Sequence, residues 1–245
     1  MTIDGCWADG HHNDIECTIT GPPDYPIMAG VEMEFTFARF LFAGPPEKLP
    51  TPPEIPPGQE LGHCDDWHDW VVRRTDMYVI WPTVLMEMDT GIIDVLKVDD
   101  IELTPIRRYE APEEWTDIEC QFGAGLNPGY WISADTRNNE VTVSDQDGEF
   151  SGMAMPPASI TLQEGQSQNA AISFISHSGM LYEGTLSVTA EVNGVEDIAA
   201  FGSQEMPIRW VGRDGTETDL SGDTYTWDVK EKEWKENFRP IPGLQ

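Results

Sequence analysis

Basic residues are what this sequence has least of. Only 14 Lys and Arg stand against 44 Asp and Glu in 245 residues, a formal charge of −30 at pH 7. Nucleic-acid recognition draws most of its affinity from Lys and Arg that neutralise phosphates, and no basic stripe runs through this chain. Binding to DNA, RNA or an anionic membrane is therefore not expected of it. The arginines are scattered, as Arg39, Arg73-Arg74, Arg107-Arg108, Arg137, Arg209 and Arg213, with carboxylates near each doublet. They are expected to bond carboxylates within the chain or across a subunit contact, where a planar guanidinium binds in bidentate fashion.

Cysteine is scarce as well. Four in a chain of this length do not make the dense framework of a small secreted domain, and reduced thiols are expected. Long apolar runs are missing: the longest, Met77 to Met86, falls short of the roughly 18 residues of a membrane helix and contains Pro82, so it reads as core. The opening residues Met1 to Cys6 show no basic region followed by an apolar run, so no secretory signal is read and folding in a cytoplasm is expected. Enzyme signatures are also lacking. There is no Gly-x-Ser-x-Gly elbow, Walker loop, dinucleotide glycine fingerprint or His-Glu-x-x-His. His177, between Ser176 and Ser178, reads as part of a surface turn, not a triad. No catalytic residue and no cofactor is assigned.

What is present is enough apolar material for a folded protein, 39% hydrophobic and 10% aromatic residues, with acidity spread along the chain and not held in a tail. Such a surface serves solubility or salt tolerance, or meets a basic partner or divalent cations; the first reading is preferred, because net charge acts first on solubility and association. The dominant period is two. Leu186, Val188, Ala190 and Val192 alternate with Thr185, Ser187, Thr189 and Glu191, and the turn pair Asn193-Gly194 follows. Similar alternation marks 159–162, 172–174 and 141–144. From Val31 to Phe42 the apolar phase moves from odd to even positions near Ala38, as in a bulge or a strand passing between sheets. One short helix is predicted where Leu61, Cys64, Trp67 or His68, and Val71 recur at helical spacing. The fold class is therefore all-β, with two sandwich or barrel-like modules, 1–155 and 156–227.

Proline and lysine mark two arms. The tract Gly44 to Gly58 favours an extended polyproline conformation, a stiff surface loop. Residues 228–245 alternate in charge sign from Asp228 to Glu236 and read as a solvated, extended C-terminal arm able to dock on a neighbour.

The segments Ser159 to Ser167, Ala171 to Phe174 and Gly184 to Gly194, with the turn Gln163-Glu164-Gly165-Gln166, resemble an immunoglobulin-like sandwich of the type appended to bacterial surface and tailed-bacteriophage virion proteins. The resemblance covers about a third of the chain and lacks a cysteine pair between sheets. It implies a structural role in an assembly, by contact with other virion proteins or copies of the same chain.

Two metal sites are candidates. Cys6, His11, His12 and Cys17 offer zinc ligands, with His63, Cys64 and His68 further on, although no paired C-x-x-C is present; buried thiols or a Cys6–Cys17 disulfide are the alternatives. Asp145, Asp147 and Glu149 resemble the opening of a calcium loop, but position 12 is Pro156 where a bidentate Glu is needed, so a turn between strands is preferred. Eight of the nine tryptophans, Trp67, Trp70, Trp81, Trp115, Trp131, Trp210, Trp227 and Trp234, are considered as a carbohydrate platform but expected mainly in core or interface. The leading functional expectation is a non-enzymatic structural protein of a tailed-phage virion, a capsid decoration, tail or neck protein assembled in the host cytoplasm. A carbohydrate- or calcium-dependent binding module is the alternative, and a polysaccharide-active enzyme the third.

Overall fold

The structure is a computed structural model, and it describes residues 6–8, 15–17, 27–28, 30–36, 38–55, 63–120, 128–146, 151–213 and 224–237. The described elements are β1 (Cys6–Ala8), β2 (Ile15–Cys17), β3 (Ile27–Met28), β4 (Val31–Thr36), β5 (Arg39–Phe42), α1 (His63–Val72), β6 (Met77–Ile80), β7 (Thr83–Asp89), β8 (Val95–Glu110), β9 (Thr116–Glu119), β10 (Tyr130–Asp135), β11 (Glu140–Asp145), β12 (Met153–Ala154), β13 (Ile160–Gln163), β14 (Ser167–Ile175), β15 (Met180–Val192), β16 (Val195–Phe201), β17 (Ile208–Val211), β18 (Thr224–Asp228) and β19 (Glu233–Asn237). The all-β expectation is met.

Two mixed sheets carry nearly everything. One has seven strands in the order β12-β11-β10-β14-β7-β4-β3; the other has ten, β13-β8-β15-β17-β6-β5-β9-β18-β19, with β16 beside β15. Alternation explains why they stack. Val31, Met33 and Phe35 of β4 are buried while Glu32 and Glu34 between them are exposed, and Leu186, Val188 and Ala190 of β15 repeat the pattern on the other sheet. These inward residues form one large apolar cluster, crossed by Phe35 against Phe201 and Phe174 against Trp210. The odd-to-even shift near Ala38 marks a chain passing between sheets, since β4 pairs with β7 and β5 with β6.

Strands from both sides of the boundary expected at residues 155 and 156 share each sheet. The strand β14 lies between β10 and β7, and β15 runs along β8. The long strand β15 is the spine of the larger sheet. Its second edge is divided in series, with Leu181 to Gly184 facing β17 and Leu186 to Val192 facing β16. Asn193 and Gly194, both at positive φ, make the tight turn into β16, and Asn193 also exchanges bonds with Val95 at the start of β8. Gly184 sits where a side chain has no room. A Cβ there would stand 2.5 Å from the Thr104 carbonyl oxygen and 2.8 Å from the Trp210 ring.

The predicted helix is α1, which buries Trp67 and Val71 against the core. Trp67 meets Phe40, Trp70 and Trp234 edge-on. The C-terminal arm is corrected over its described part. Residues 228–237 form a turn and a sheet strand, because Trp227 and Trp234 pair across β18 and β19 and pack on the core. Charge alternation, which suggested a solvated arm, belongs to that hairpin's outer surface: Lys235 bonds Asp228 at 2.7 Å, and with the turn amides it holds the Asp228 carboxyl down to about 2. The hairpin also receives the proline tract, where the Trp234 indole donates to the Pro50 carbonyl at 3.0 Å and Lys232 pairs with Glu54. Residues 238–245 lie outside the described residues.

Candidate functional site

A half-buried sheet needs one apolar face, and the ten-stranded sheet has two. Behind the main core, Leu41, Tyr78, Ile80, Leu181 and Val211 form a second buried cluster on the sheet's outer side. Register shows how it is built. Tyr109, Leu181 and Val211 lie in register across β8, β15 and β17, as do Ile80, Arg39 and Glu119 across β6, β5 and β9; the next rows on this side are Arg107, Glu183 and Arg209, and Tyr78, Leu41 and Asp117. Apolar side chains sit in the middle and ion pairs at both ends.

At one end, Arg39 holds Asp117 through Nε at 3.3 Å and through a second, shorter bond from Nη2, with both residues nearly buried. Burial raises the Asp117 carboxyl above its ordinary value, and the Arg39 bond only partly offsets this. At the other end Glu183, buried, accepts from Arg209 at 3.0 Å, Arg107 at 3.3 Å and the Tyr109 hydroxyl at 3.4 Å. Desolvation, followed by the Glu183 charge, raises the Tyr78 phenol between them. Arg209 reaches further and donates to the Val72 carbonyl at 3.2 Å, tying the C-terminal end of α1 to β17.

Trp81 follows β6 at the chain's crossing to β7 and takes φ +56°, a left-handed conformation that a bulky residue rarely adopts. Its ring is 44% exposed, with the Arg213 guanidinium stacked 4.0 Å from the centroid and Arg39 at 5.9 Å. The result is a largely buried layer in which Arg39, Arg209 and Arg213 lie beside Asp117 and Glu183, bordered by the exposed Arg107 and the half-exposed rings of Trp81 and Tyr109. Trp, Tyr and Arg are the residues that dominate binding energy at protein interfaces. As expected, the arginine doublets partner carboxylates: Arg73 with Asp69, Arg74 with Asp76 and Arg107 with Glu183. In the sequence Trp81 is one tryptophan among several, and its local signal is a Trp-Pro pair ending a buried strand.

The candidate metal residues fall elsewhere. Cys6 and Cys17 are direct partners across β1 and β2, while His11 and His12 lie outside the described residues. Asp145 ends β11, and Asp147 and Glu149 lie outside the described residues. His63 and Cys64 open α1; His68, one turn later, packs edge-on to Phe35. Among the described residues no three His, Cys, Asp or Glu side chains converge on a metal position. The expectation of reduced thiols is corrected at Cys120, which is disulfide-bonded and buried at the end of β9. Nothing local to Cys120 signals this, since a disulfide depends on which distant segment the fold brings alongside. Of the tryptophans, Trp67 and Trp210 are fully buried, Trp70, Trp227 and Trp234 pack against the core, and Trp81, Trp115 and Trp131 are exposed. No helix among the described residues is long and apolar enough to cross a membrane.

No family model, curated protein or solved structure matches this chain.

Proposed function

We propose that the chain is a structural protein of a macromolecular assembly, with no enzymatic role, of the kind that decorates the capsid or builds the tail or neck of a tailed-phage virion. We infer that it associates with further copies of itself through the exposed border of the ten-stranded sheet's outer side, where Trp81, Tyr109 and Arg107 lie. The observation that carries this reading is the exposed border formed by Trp81, Tyr109 and Arg107 beside charge-compensated, buried Arg39, Arg209 and Arg213, on a chain of charge −30. Two such chains repel over most of their area, and a contact forms where local charges already cancel and rings supply the burial. The disulfide at Cys120 fits a protein that serves on an assembled particle, since disulfides persist on virion and cell surfaces.

The test is the native mass by light scattering over a range of concentrations, for the wild-type chain and for Tyr109→Ala and Arg107→Glu. An integral multiple of the 27.4 kDa chain mass that falls toward one in both variants supports the reading. A wild-type chain that stays monomeric at every concentration overturns it. An oligomer untouched by either variant moves the contact to another face.

A further inference from the structure

The sandwich is not filled everywhere. The parallel strands β6 and β17 share a single paired position, Val79 with Trp210, and toward their starts they part around a cleft of about 420 Å³. Its depth is lined by buried apolar side chains, among them Phe35, Val79, Phe201 and Ile208. The mouth is formed by the last turns of α1 on one side and the loop from β16 to β17 on the other. Protein interiors close-pack, and Met206 has the length and flexibility to fold inward, yet it stands 49% exposed at the mouth.

Both walls are braced in the open position. The Ser203 amide donates to the Met206 carbonyl, and the Met206 amide donates to the Ser203 hydroxyl, each at 3.0 Å. Gly202, at φ +78°, is backed by Ile208 so closely that a Cβ would lie 3.1 Å from its backbone nitrogen. Across the mouth, Arg209 pins the end of α1 through the Val72 carbonyl. A preformed cleft of a few hundred Å³ with apolar walls and a few polar groups is the usual form of a small-molecule site.

Charge selects the ligand. The charged groups that line the cleft are already paired, Arg73 with Asp69 at 3.4 Å and Arg209 with Glu183 at 3.0 Å, and the chain's overall field repels anions. Ser203, whose hydroxyl accepts from the Met206 amide, supplies an uncharged hydroxyl on its wall. We propose that this cleft binds an uncharged small molecule with an apolar body and one hydrogen-bonding end.

The probe is N-phenyl-1-naphthylamine, uncharged and fluorescent in apolar surroundings, titrated into the full chain, with 1-decanol and decanoate as competitors. Expected are saturable one-to-one binding, displacement by decanol, and displacement by decanoate weaker by about tenfold or more. Val72→Phe narrows the cleft, and Met206→Asp sets a charge at its exposed mouth where refolding is not at stake. Each is expected to weaken binding by about tenfold, whereas Trp131→Ala on the opposite sheet leaves it unchanged. Absence of saturable binding overturns the proposal, as does binding that neither cleft variant weakens. Decanoate competing as well as decanol overturns the assignment of a neutral ligand.

Discussion

The outer faces of the two sheets are built from the same alternating pattern and meet water in opposite ways. On the seven-stranded sheet, Glu32 of β4 stands directly across from Glu87 of β7, with Glu34 one step along; Thr36, Thr83, Ser133 and Ser173 lie on the same side, together with one apolar row of Leu85, Ala171 and the half-exposed Trp131. Like charges facing each other cost stability, so this face is shaped for solvation. On the ten-stranded sheet, the outward positions hold a second apolar cluster closed at each end by an arginine and a carboxylate. The acidity of the chain is thus uneven, and one face is spared it. Arg39, Arg107 and Arg209 are gathered there by the buried carboxylates Asp117 and Glu183 that they compensate.

The sharpest break of this contrast is at Arg39. Replacing it with Met strands the Asp117 carboxylate in a buried position and is expected to cost about 3–5 kcal/mol, read as a lower urea midpoint. The double variant Arg39→Met with Asp117→Leu is expected to return to wild-type stability or above, because an apolar pair fits a face that is already apolar beside it. Failure of the double variant to recover would show that the ion pair, and not the apolar cluster, holds this end of the sheet. The same carboxyl gives a pH signature. Its value is raised in the folded chain, so its contribution to stability is complete below about pH 4, where it is neutral folded and unfolded, and is lost as pH rises through its folded value. Relative to Asp117→Asn, the wild type should therefore be most stable at acid pH and decline as pH increases.

Trp81 offers a way to test the proposed self-association apart from folding. Trp81→Gly removes a cation–π contact and a strained backbone conformation together, terms of about 1–2 kcal/mol each that offset one another. The melting temperature is expected to change little while self-association weakens by about 2 kcal/mol, measured by light scattering. A large loss of stability with unchanged association would make Trp81 a folding residue alone.

Salt acts on the other face. Sodium chloride is expected to raise the melting temperature by screening carboxylate repulsion, at about 2–4 °C per kcal/mol, and calcium at matched ionic strength should add nothing that magnesium does not. Calcium-specific stabilisation abolished by Asp145→Asn would revive the cation site. The smallest effect is expected at Glu87→Gln, a gain of about 0.2–1 kcal/mol in urea unfolding from relief of the Glu32 repulsion. No gain would mean that water already screens the pair.

Some of this was legible residue by residue. The strands around 141–144, 160–163 and 184–192, the Asn193-Gly194 turn, the helix carrying Trp67 and Val71, and the crossing near Ala38 all follow from spacing within a few positions. The tail was misread because charge alternation in Asp228 to Glu236 masks Trp227 and Trp234, whose value is realised only when the hairpin brings them together. The outer-face surface was illegible for a similar reason. Leu41, Tyr78 and Ile80 lie within unbroken runs of buried residues and read as core, while Glu183 reads as solvent-facing until β8 and β17 supply its partners.

The sequence by itself determined the acidic balance, the strand content and which residues of each strand share a face, because the two-residue period is a local property of the extended backbone. Only the tertiary structure decided which strands lie side by side, and with that whether an outward face is wet or apolar. Arg39 lies 78 residues from Asp117 and Arg107 lies 76 from Glu183. Over such distances it is the pairing of β5 with β9, and of β8 with β15, that turns isolated charges into compensated pairs.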